Sequence, residues 1–221
     1  MFRNREDAAL QLAQILKELR LKDPLVLAIP RGGVVTGAVL ARELGAELDV
    51  VLSRKLRAPY QPELAIGAIG EDGEQYLNDF ARDVPGVTSE YVARERNHQL
   101  AEIERRGKLF REARPAAKAA QRSVVVTDDG IATGSTMLAA LHVLKARNPR
   151  EIILAVPVAP PDTLQMLRPL CNHVACLLAP EYFVAIGAFY DDFEQVEDAE
   201  VVRLLREFRP VREGQDTGAP G

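Results

Sequence analysis

Residues 124–136 read VVVTDDGIATGST, and this run constrains the fold more than any other part of the chain. Its first four residues predict a strand buried on both faces, which is typical of a parallel sheet. Two adjacent acids follow, and a loop rich in glycine and hydroxyl groups then leads into a helix. Because ligands of open α/β sheets bind at the carboxyl ends of strands, we expect a ligand site here.

Short apolar runs alternate with helical patterns along the rest of the chain, which predicts an α/β fold with a doubly wound parallel sheet. We predict core strands at residues 25–29, 48–52, 123–127, 151–156 and 173–177. We predict helices at residues 4–20, 34–44, 89–113, 135–147, 161–170 and 199–208. In the first helix, Leu10, Ile15 and Leu19 recur at helical spacing. Residues 1–208 are expected to form one domain, and residues 209–221 a flexible tail.

The segment between the second and third core strands, about residues 57–122, is a long insertion. It contains a predicted hairpin at residues 65–69 and 75–77, followed by the long helix. Residues 89–122 carry nine Lys or Arg and five Asp or Glu, whereas the whole chain has a net charge of −4. Two interpretations stay open: the helix has a solvated charged face, or it forms a basic wall over an anionic ligand.

Composition restricts the environment and the partners of the chain. No apolar run approaches the roughly 20 residues of a membrane helix, and the N-terminus has no apolar segment typical of a secretory signal. Only two cysteines occur, without zinc-site spacing. We therefore expect a cytoplasmic protein without a membrane partner. The net acidity makes nucleic acid an unfavourable partner, and a homodimer is compatible with the sequence.

The loop after the third core strand has the chemistry of a ribose phosphate site. A helix N-terminus offers unpaired N–H groups to a phosphate, and the hydroxyl groups add donors. Asp128 and Asp129 would repel phosphate, so we expect them to accept hydrogen bonds from sugar hydroxyls or to hold Mg²⁺. The candidate ligand-binding loop comprises Gly130, Ile131, Ala132, Thr133, Gly134, Ser135 and Thr136.

This run resembles the ribose-diphosphate signature of type I phosphoribosyltransferases. Residues 30–33, PRGG, lie where that family has its diphosphate-binding loop, and residues 58–59 and 62–68 resemble a bacterial group whose acceptor is unassigned. The resemblance implies the fold of that family and binding of 5-phosphoribosyl diphosphate with Mg²⁺. It also implies diphosphate contacts from Arg31, Gly32 and Gly33 and a strained or cis peptide near Arg31. Arg54 and Lys55 are expected at the end of the second strand, where they would also contact the diphosphate.

The implied reaction transfers the phosphoribosyl group to a nitrogenous acceptor, with Asp128, Asp129 and Lys55 as catalytic residues. Enzymes specific for 6-oxopurines carry an acid where this chain has Ala132, so we expect other acceptors to be preferred. Glu63 is a candidate proton carrier, and the insertion is a candidate lid. The alternatives are a non-catalytic regulator of nucleotide metabolism that binds phosphoribosyl diphosphate, and hydrolysis of the same compound.

Residues 180–198 form a candidate hood over the acceptor. The span 181–200 contains seven acids and no Lys or Arg. Its aromatic side chains either stack on an acceptor or pack in the core, and the sequence favours packing. These side chains are Phe183, Phe189, Tyr190 and Phe193.

Overall fold

The computed structural model describes residues 1–208, apart from the side chain of Glu63, and the tail predicted at residues 209–221 lies outside this part. The strands are β1 (Leu25–Ala28), β2 (Glu47–Val50), β3 (Ser53–Ala58), β4 (Gln61–Gly70), β5 (Gln75–Leu77), β6 (Ser123–Thr127), β7 (Glu151–Val158) and β8 (His173–Leu178). The helices are α1 (Arg5–Lys17), α2 (Gly32–Leu44), α3 (Ser89–Ala113), α4 (Ser135–Ala146), α5 (Pro161–Leu167) and α6 (Asp198–Glu207). No helix among the described residues is long and apolar enough to cross a bilayer.

The central sheet is parallel and has the order β2-β1-β6-β7-β8. From β1 the chain moves outward to β2 on one side, and β6 pairs with β1 on the other side. The direction of winding therefore changes between β1 and β6, and a crevice opens at their carboxyl ends. This confirms the predicted α/β fold and places the two candidate loops next to each other.

The strands are buried on both faces because alternate residues point into two different apolar cores. Val26 and Val125 pack with α1, α2 and α6, whereas Leu27 and Val126 pack with α4 and α5. One sequence-based detail of α1 is wrong. Leu10 and Ile15 are each 43% exposed, and the buried face of this helix carries its alanines and two other leucines instead.

The insertion contains a second, antiparallel sheet of order β3-β4-β5 as well as the long helix α3. The second core strand ends at Val50, so residues 53–55 begin β3 rather than finish that strand, as the sequence had suggested. The sheet packs against α4, where the Tyr76 ring stacks on His142 with a centroid distance of 3.7 Å. The insertion is therefore folded onto the core and is more than a helical loop.

The C-terminal part of α3 is attached to the core by ion pairs. Arg111 contacts the carboxylates of Asp49 at 2.7 Å and of Glu71 at 2.6 Å. The buried Arg114 pairs with Glu47. Part of the positive charge in residues 89–122 is thus used for internal pairing.

Candidate functional site

The loops after β1 and β6 are in direct contact, and two glycines make this approach possible. A Cβ at Gly32 would lie 1.9 Å from Asp129 Oδ2, and a Cβ at Gly33 would lie 2.8 Å from Asp128 Oδ1. Both glycines belong to the first turn of α2 and neither has a positive φ angle, so their small size is what the contact requires. The Pro30–Arg31 peptide is cis, as the family resemblance implied.

Asp129 is held by a cation that the sequence analysis missed. Arg5 Nε donates to Asp129 Oδ2 at 2.7 Å, and the two side chains are only 11% and 10% exposed. The Arg5 guanidinium also lies 3.9 Å from the ring centroid of Phe193 and donates to the Glu194 carbonyl at 2.8 Å. Tyr190 Oη donates to the Asp129 carbonyl at 2.6 Å. The hood and the N-terminal helix therefore position Asp129 from outside its own loop.

Asp128 has a different environment from its neighbour. The residue is half-buried, and its Oδ1 accepts the Asp129 N–H at 2.8 Å. Burial and then the negative charge of Asp129 raise the pKa of Asp128 well above its usual value, and Arg5 opposes this only weakly. An unpaired carboxylate here would be stabilised by sugar hydroxyls or by a cation.

The loop before α4 presents donors at an uncapped helix N-terminus. Gly134 has a φ of 76° and precedes the helix, and no side chain of the described residues caps the first N–H groups. Thr133 and Thr136 are exposed, and Thr133 Oγ1 lies 3.2 Å from Ser135 Oγ. The preceding residues are fixed by neighbours: Ile131 N–H donates to a β7 carbonyl, and Thr163 Oγ1 donates to the Ala132 carbonyl. At Gly130 a Cβ would lie 2.6 Å from Ile186 Cγ2. This arrangement can bind an anion.

A cavity of about 850 Å³ extends from these loops to the insertion. Thr136 lines it on one side, and its six cationic lining residues are Arg31, Arg54, Lys55, Arg57, Arg105 and Arg106. We call Arg54, Arg57, Arg105 and Arg106 the arginine wall; they belong to β3 and α3. The basic-wall interpretation of the long helix is thus favoured. Arg31 lies 3.6 Å from Glu197 and 3.8 Å from Asp198. Acids of the candidate hood therefore face the loop after β1, which the resemblance assigns to diphosphate.

Four aromatic side chains of residues 180–198 pack in pairs on each other. Phe183 stacks on Phe189 with a centroid distance of 5.3 Å, and Tyr190 stacks on Phe193 at 4.9 Å. Tyr190 is buried and also contacts Phe2. These contacts favour the packing interpretation over stacking on an acceptor. The side chain of Glu63, the candidate proton carrier, lies outside the described part of the structure.

Two comparisons with known sequences are consistent with this geometry. The family described as the phosphoribosyl transferase domain matches residues 4–194. Two Mycobacterium tuberculosis proteins, from strains CDC 1551 / Oshkosh and ATCC 25618 / H37Rv, each carry the name "Putative phosphoribosyl transferase". Each is 42% identical over 221 residues, which is 99% of this chain and 49% of the relative. The chain thus spans about half the length of these curated relatives.

A solved structure is also similar. The crystal structure of the protein TT1426 from Thermus thermophilus is 43% identical, with a TM-score of 0.90. The match covers 95% of this chain and 99% of that one, so it includes the insertion as well as the parallel core.

Proposed function

Because the chain belongs to the phosphoribosyl transferase domain family and has the type I fold, we propose that it transfers the phosphoribosyl group of 5-phosphoribosyl diphosphate to a nitrogenous acceptor. The observation that carries this proposal is the contact between residues 32–33 and the paired acids. This contact brings the loop expected to bind diphosphate, the two carboxylates and the N-terminus of α4 into one crevice. A sugar that bears a phosphate at one end and a diphosphate at the other suits this order of groups.

The 5′-phosphate would bind at the N-terminus of α4. The N–H groups of residues 133–136 and the hydroxyls of Thr133, Ser135 and Thr136 are donors for its oxygens. The diphosphate would bind at the first turn of α2, with Arg31, Gly32 and Gly33, and Lys55 would contact it from β3. Binding energy from both ends then fixes the anomeric carbon between them.

The paired acids would hold the ribose between these two anions. Asp128 would accept hydrogen bonds from the sugar hydroxyls, and Asp129, fixed by Arg5, would set the position of the pair. The acceptor nitrogen forms a bond to the anomeric carbon while the bond to the diphosphate oxygen breaks, and the bonding electrons leave with diphosphate. The nearby carboxylate charge stabilises the oxocarbenium character of the ring in the transition state.

The residues present fit a Mg²⁺ ion that arrives with the diphosphate. No group of three or more His, Cys, Asp or Glu that could enclose a metal occurs among the described residues. Asp128 supplies a hard oxygen ligand whose negative charge Arg5 offsets only weakly. Mg²⁺ is typically bound by one or two such carboxylates together with substrate phosphates. When bound, the ion would neutralise charge on the leaving diphosphate.

The competing function is a non-catalytic regulator that binds the same ligand and nucleic acid. The excess of Lys and Arg in residues 89–122 is the sequence feature that favours this function, because nucleic acid binds to basic surfaces. In the structure, Arg111 and Arg114 pair with acids of the core, and Arg105 and Arg106 line the cavity. This distribution favours use of the charge inside the fold, and we therefore prefer the enzyme.

Diphosphate release from labelled phosphoribosyl diphosphate, measured with Mg²⁺ across a panel of bases and amines, tests the proposal. Stimulated release with at least one acceptor supports a transferase, and equal release without any acceptor points to hydrolysis. Binding without release under all conditions would support the regulator. The preference against hypoxanthine and guanine, expected from Ala132, is read from the same panel by comparing kcat/KM.

A further inference from the structure

The arginine wall contains a buried polar relay that the proposed transfer reaction does not use. Gln99 and Glu95, one turn apart on α3, are only 1% and 8% exposed. Gln99 Nε2 donates to Glu95 Oε1 at 2.8 Å, and Glu95 Oε1 also accepts from Arg57 Nε at 2.9 Å. Gln99 Oε1 accepts from Arg54 Nε at 2.6 Å. Burying an amide and a carboxylate is unfavourable unless both are paired, and here both are.

The relay fixes Arg54 by its Nε atom and leaves its two terminal nitrogens for another partner. Among the described residues, the guanidinium of Arg54 bonds only Gln99, through Nε. A planar guanidinium held in this way can bind a carboxylate or a phosphate through two parallel hydrogen bonds. Arg54 is therefore oriented before a ligand arrives.

Arg54 also differs electrostatically from the arginines next to it. Carboxylates raise the pKa of Arg57 and of Arg105, through Glu95 and Glu102 respectively. For Arg54, desolvation and then repulsion from Arg106 lower the pKa, and Glu102 offsets this only in part. The guanidinium groups of Arg54 and Arg106 thus line one cavity, and nearby carboxylates neutralise their positive charge only in part. An anion bound between them would reduce the repulsion.

Apolar side chains line the same cavity as Arg54. Ile103 and Phe110 are buried under the cavity, and Leu109 is partly exposed to it. An apolar surface beside a pair of guanidinium groups suits a flat ring that carries an oxyanion better than it suits an inorganic phosphate chain. In the proposed function the two anions of phosphoribosyl diphosphate would bind at α4 and at the first turn of α2. We therefore reassign Arg54 from the diphosphate contact expected from the sequence.

We propose that Arg54 and Arg106 form an oxyanion subsite for the acceptor, which is therefore a nitrogen heterocycle or aromatic amine bearing a carboxylate or phosphate. That the bound anionic compound is the acceptor rests on the proposed transferase function, whereas the preference of the subsite for an anion does not. Gln99 is a positioning residue, because it acts on the ligand only through Arg54.

Direct titration of the full chain with matched probes tests the subsite. The probes are nicotinate with nicotinamide and orotate with orotamide, each pair differing by a carboxylate against an amide. They are titrated with the protein alone and with phosphoribosyl diphosphate and Mg²⁺. We expect each carboxylate to bind at least about tenfold more tightly than its amide, because charge-assisted hydrogen bonds are roughly twice as strong as neutral ones. Equal affinity within both pairs, or no binding of either carboxylate at millimolar concentration, would overturn the proposal.

Variants distinguish the subsite from the diphosphate site. Arg54→Gln and Arg106→Gln should each remove the carboxylate preference and change the affinity for inorganic diphosphate by less than about threefold, the scale of a screened charge. Lys108→Gln, which removes an exposed charge of the same helix, should change neither. Arg106 is itself exposed, so its variant is expected to fold even if Arg54→Gln does not.

The outcomes also separate this inference from the function. Equal weakening of diphosphate and carboxylate by Arg106→Gln would assign the wall to the diphosphate and overturn the acceptor subsite. If phosphoribosyl diphosphate binds but the carboxylate preference is absent, the transferase stands and the subsite fails. If the preference is present but phosphoribosyl diphosphate does not bind, the subsite stands and the transferase fails.

Discussion

The crevice has two sides that are built differently. On the side of the parallel core, glycines, helix N-termini and a pair of acids approach each other closely, and Arg5 pairs with Asp129. On the side of the insertion, long arginine side chains are held by other side chains, such as Gln99 and Glu95. Ligand binding at the core side would therefore depend on backbone geometry, and ligand binding at the insertion side would depend on where the charged side chains are held.

This difference predicts different responses to mutation. At the core side, one added methyl group must displace a carboxylate, so small changes should abolish binding. At the arginine wall, each charge is partly screened, and single changes should alter preference among ligands with little effect on the fold.

The largest effect is expected at the contact between the two core loops. In Gly32→Ala the new Cβ would need the space of Asp129 Oδ2, 1.9 Å away. Overpacking costs about 1–3 kcal/mol, and misplacement of a site by roughly 1 Å can cost about 100-fold. We predict loss of phosphoribosyl diphosphate binding by at least that factor, measured by calorimetry.

The matched control lies at the other end of the same helix. Gly45→Ala meets no atom within 4 Å, and only its φ of 59° is unfavourable. It should lower the melting temperature slightly, because an L-residue in this conformation costs about 1–2 kcal/mol, and it should keep ligand affinity. Equal ligand affinity in both variants would contradict the close-contact explanation.

Arg5→Gln should give the next largest effect. It leaves Asp129 beside Asp128 without its cation, and breaking a largely buried pair costs about 3–5 kcal/mol. For a chain of this size we expect the melting temperature to fall by roughly 6–20 °C. Arg3→Gln removes an ion pair whose arginine is 79% exposed, so it should change stability little. The double variant Arg5→Gln with Asp129→Asn should lose less stability than the sum of the two single variants. If the two losses of stability simply add, Arg5 and Asp129 do not interact directly.

The two acids should respond to amidation with opposite signs. The pKa of Asp128 is raised in the native state, so that state keeps a proton which the unfolded chain loses, and stability falls as the pH rises through the native pKa. Asp128→Asn removes this penalty. We predict a higher melting temperature than wild type at pH 7, a smaller difference at pH 4, and ligand binding weakened about tenfold or more. Asp129→Asn should instead lower the melting temperature at pH 7, because Arg5 loses its partner. Shifts of the same sign in both variants would show that the acids are equivalent.

The core side of the crevice could be predicted from the sequence because the residues that form it lie close together along the chain. A buried strand, two acids and a loop that opens a helix lie within residues 124–136, and their positions at the carboxyl end of β6 follow from the rules of parallel sheets. The boundaries of α3 were also predicted, since Thr88 caps its first turn.

The remaining features depend on contacts between distant residues. Arg5 is 124 positions from Asp129, and it read as an ordinary residue in the first turn of a helix. The separate strand β3 was missed because residues 53–55 directly follow an apolar run, and only pairing with β4 shows that a new sheet begins. The relay of Gln99 and Glu95 has no local signature, since polar residues one turn apart are common on solvated helices.

The smallest effect concerns the contact between the insertion and α4. Desolvation and then the charge of Lys145 lower the pKa of His142, which stacks on Tyr76. Protonation therefore opposes the folded state, and stability should decline as the pH falls from 7 to 5. We predict that His142→Phe keeps the stack and removes this part of the pH dependence, measured by melting temperature. An unchanged pH profile in this variant would assign the effect to other groups.

Binding of phosphoribosyl diphosphate with Mg²⁺, followed by thermal denaturation of the wild-type chain and of Asp128→Asn, tests the central claim most directly. Ligand binding to the native state alone adds about 2.7 kcal/mol at one hundred times Kd, which corresponds to a rise of roughly 5–10 °C. We predict this rise for wild type, a much smaller one for Asp128→Asn, and competition by both ribose 5-phosphate and diphosphate. No rise for wild type at millimolar ligand, or an equal rise in both proteins, would contradict the assignment of this crevice.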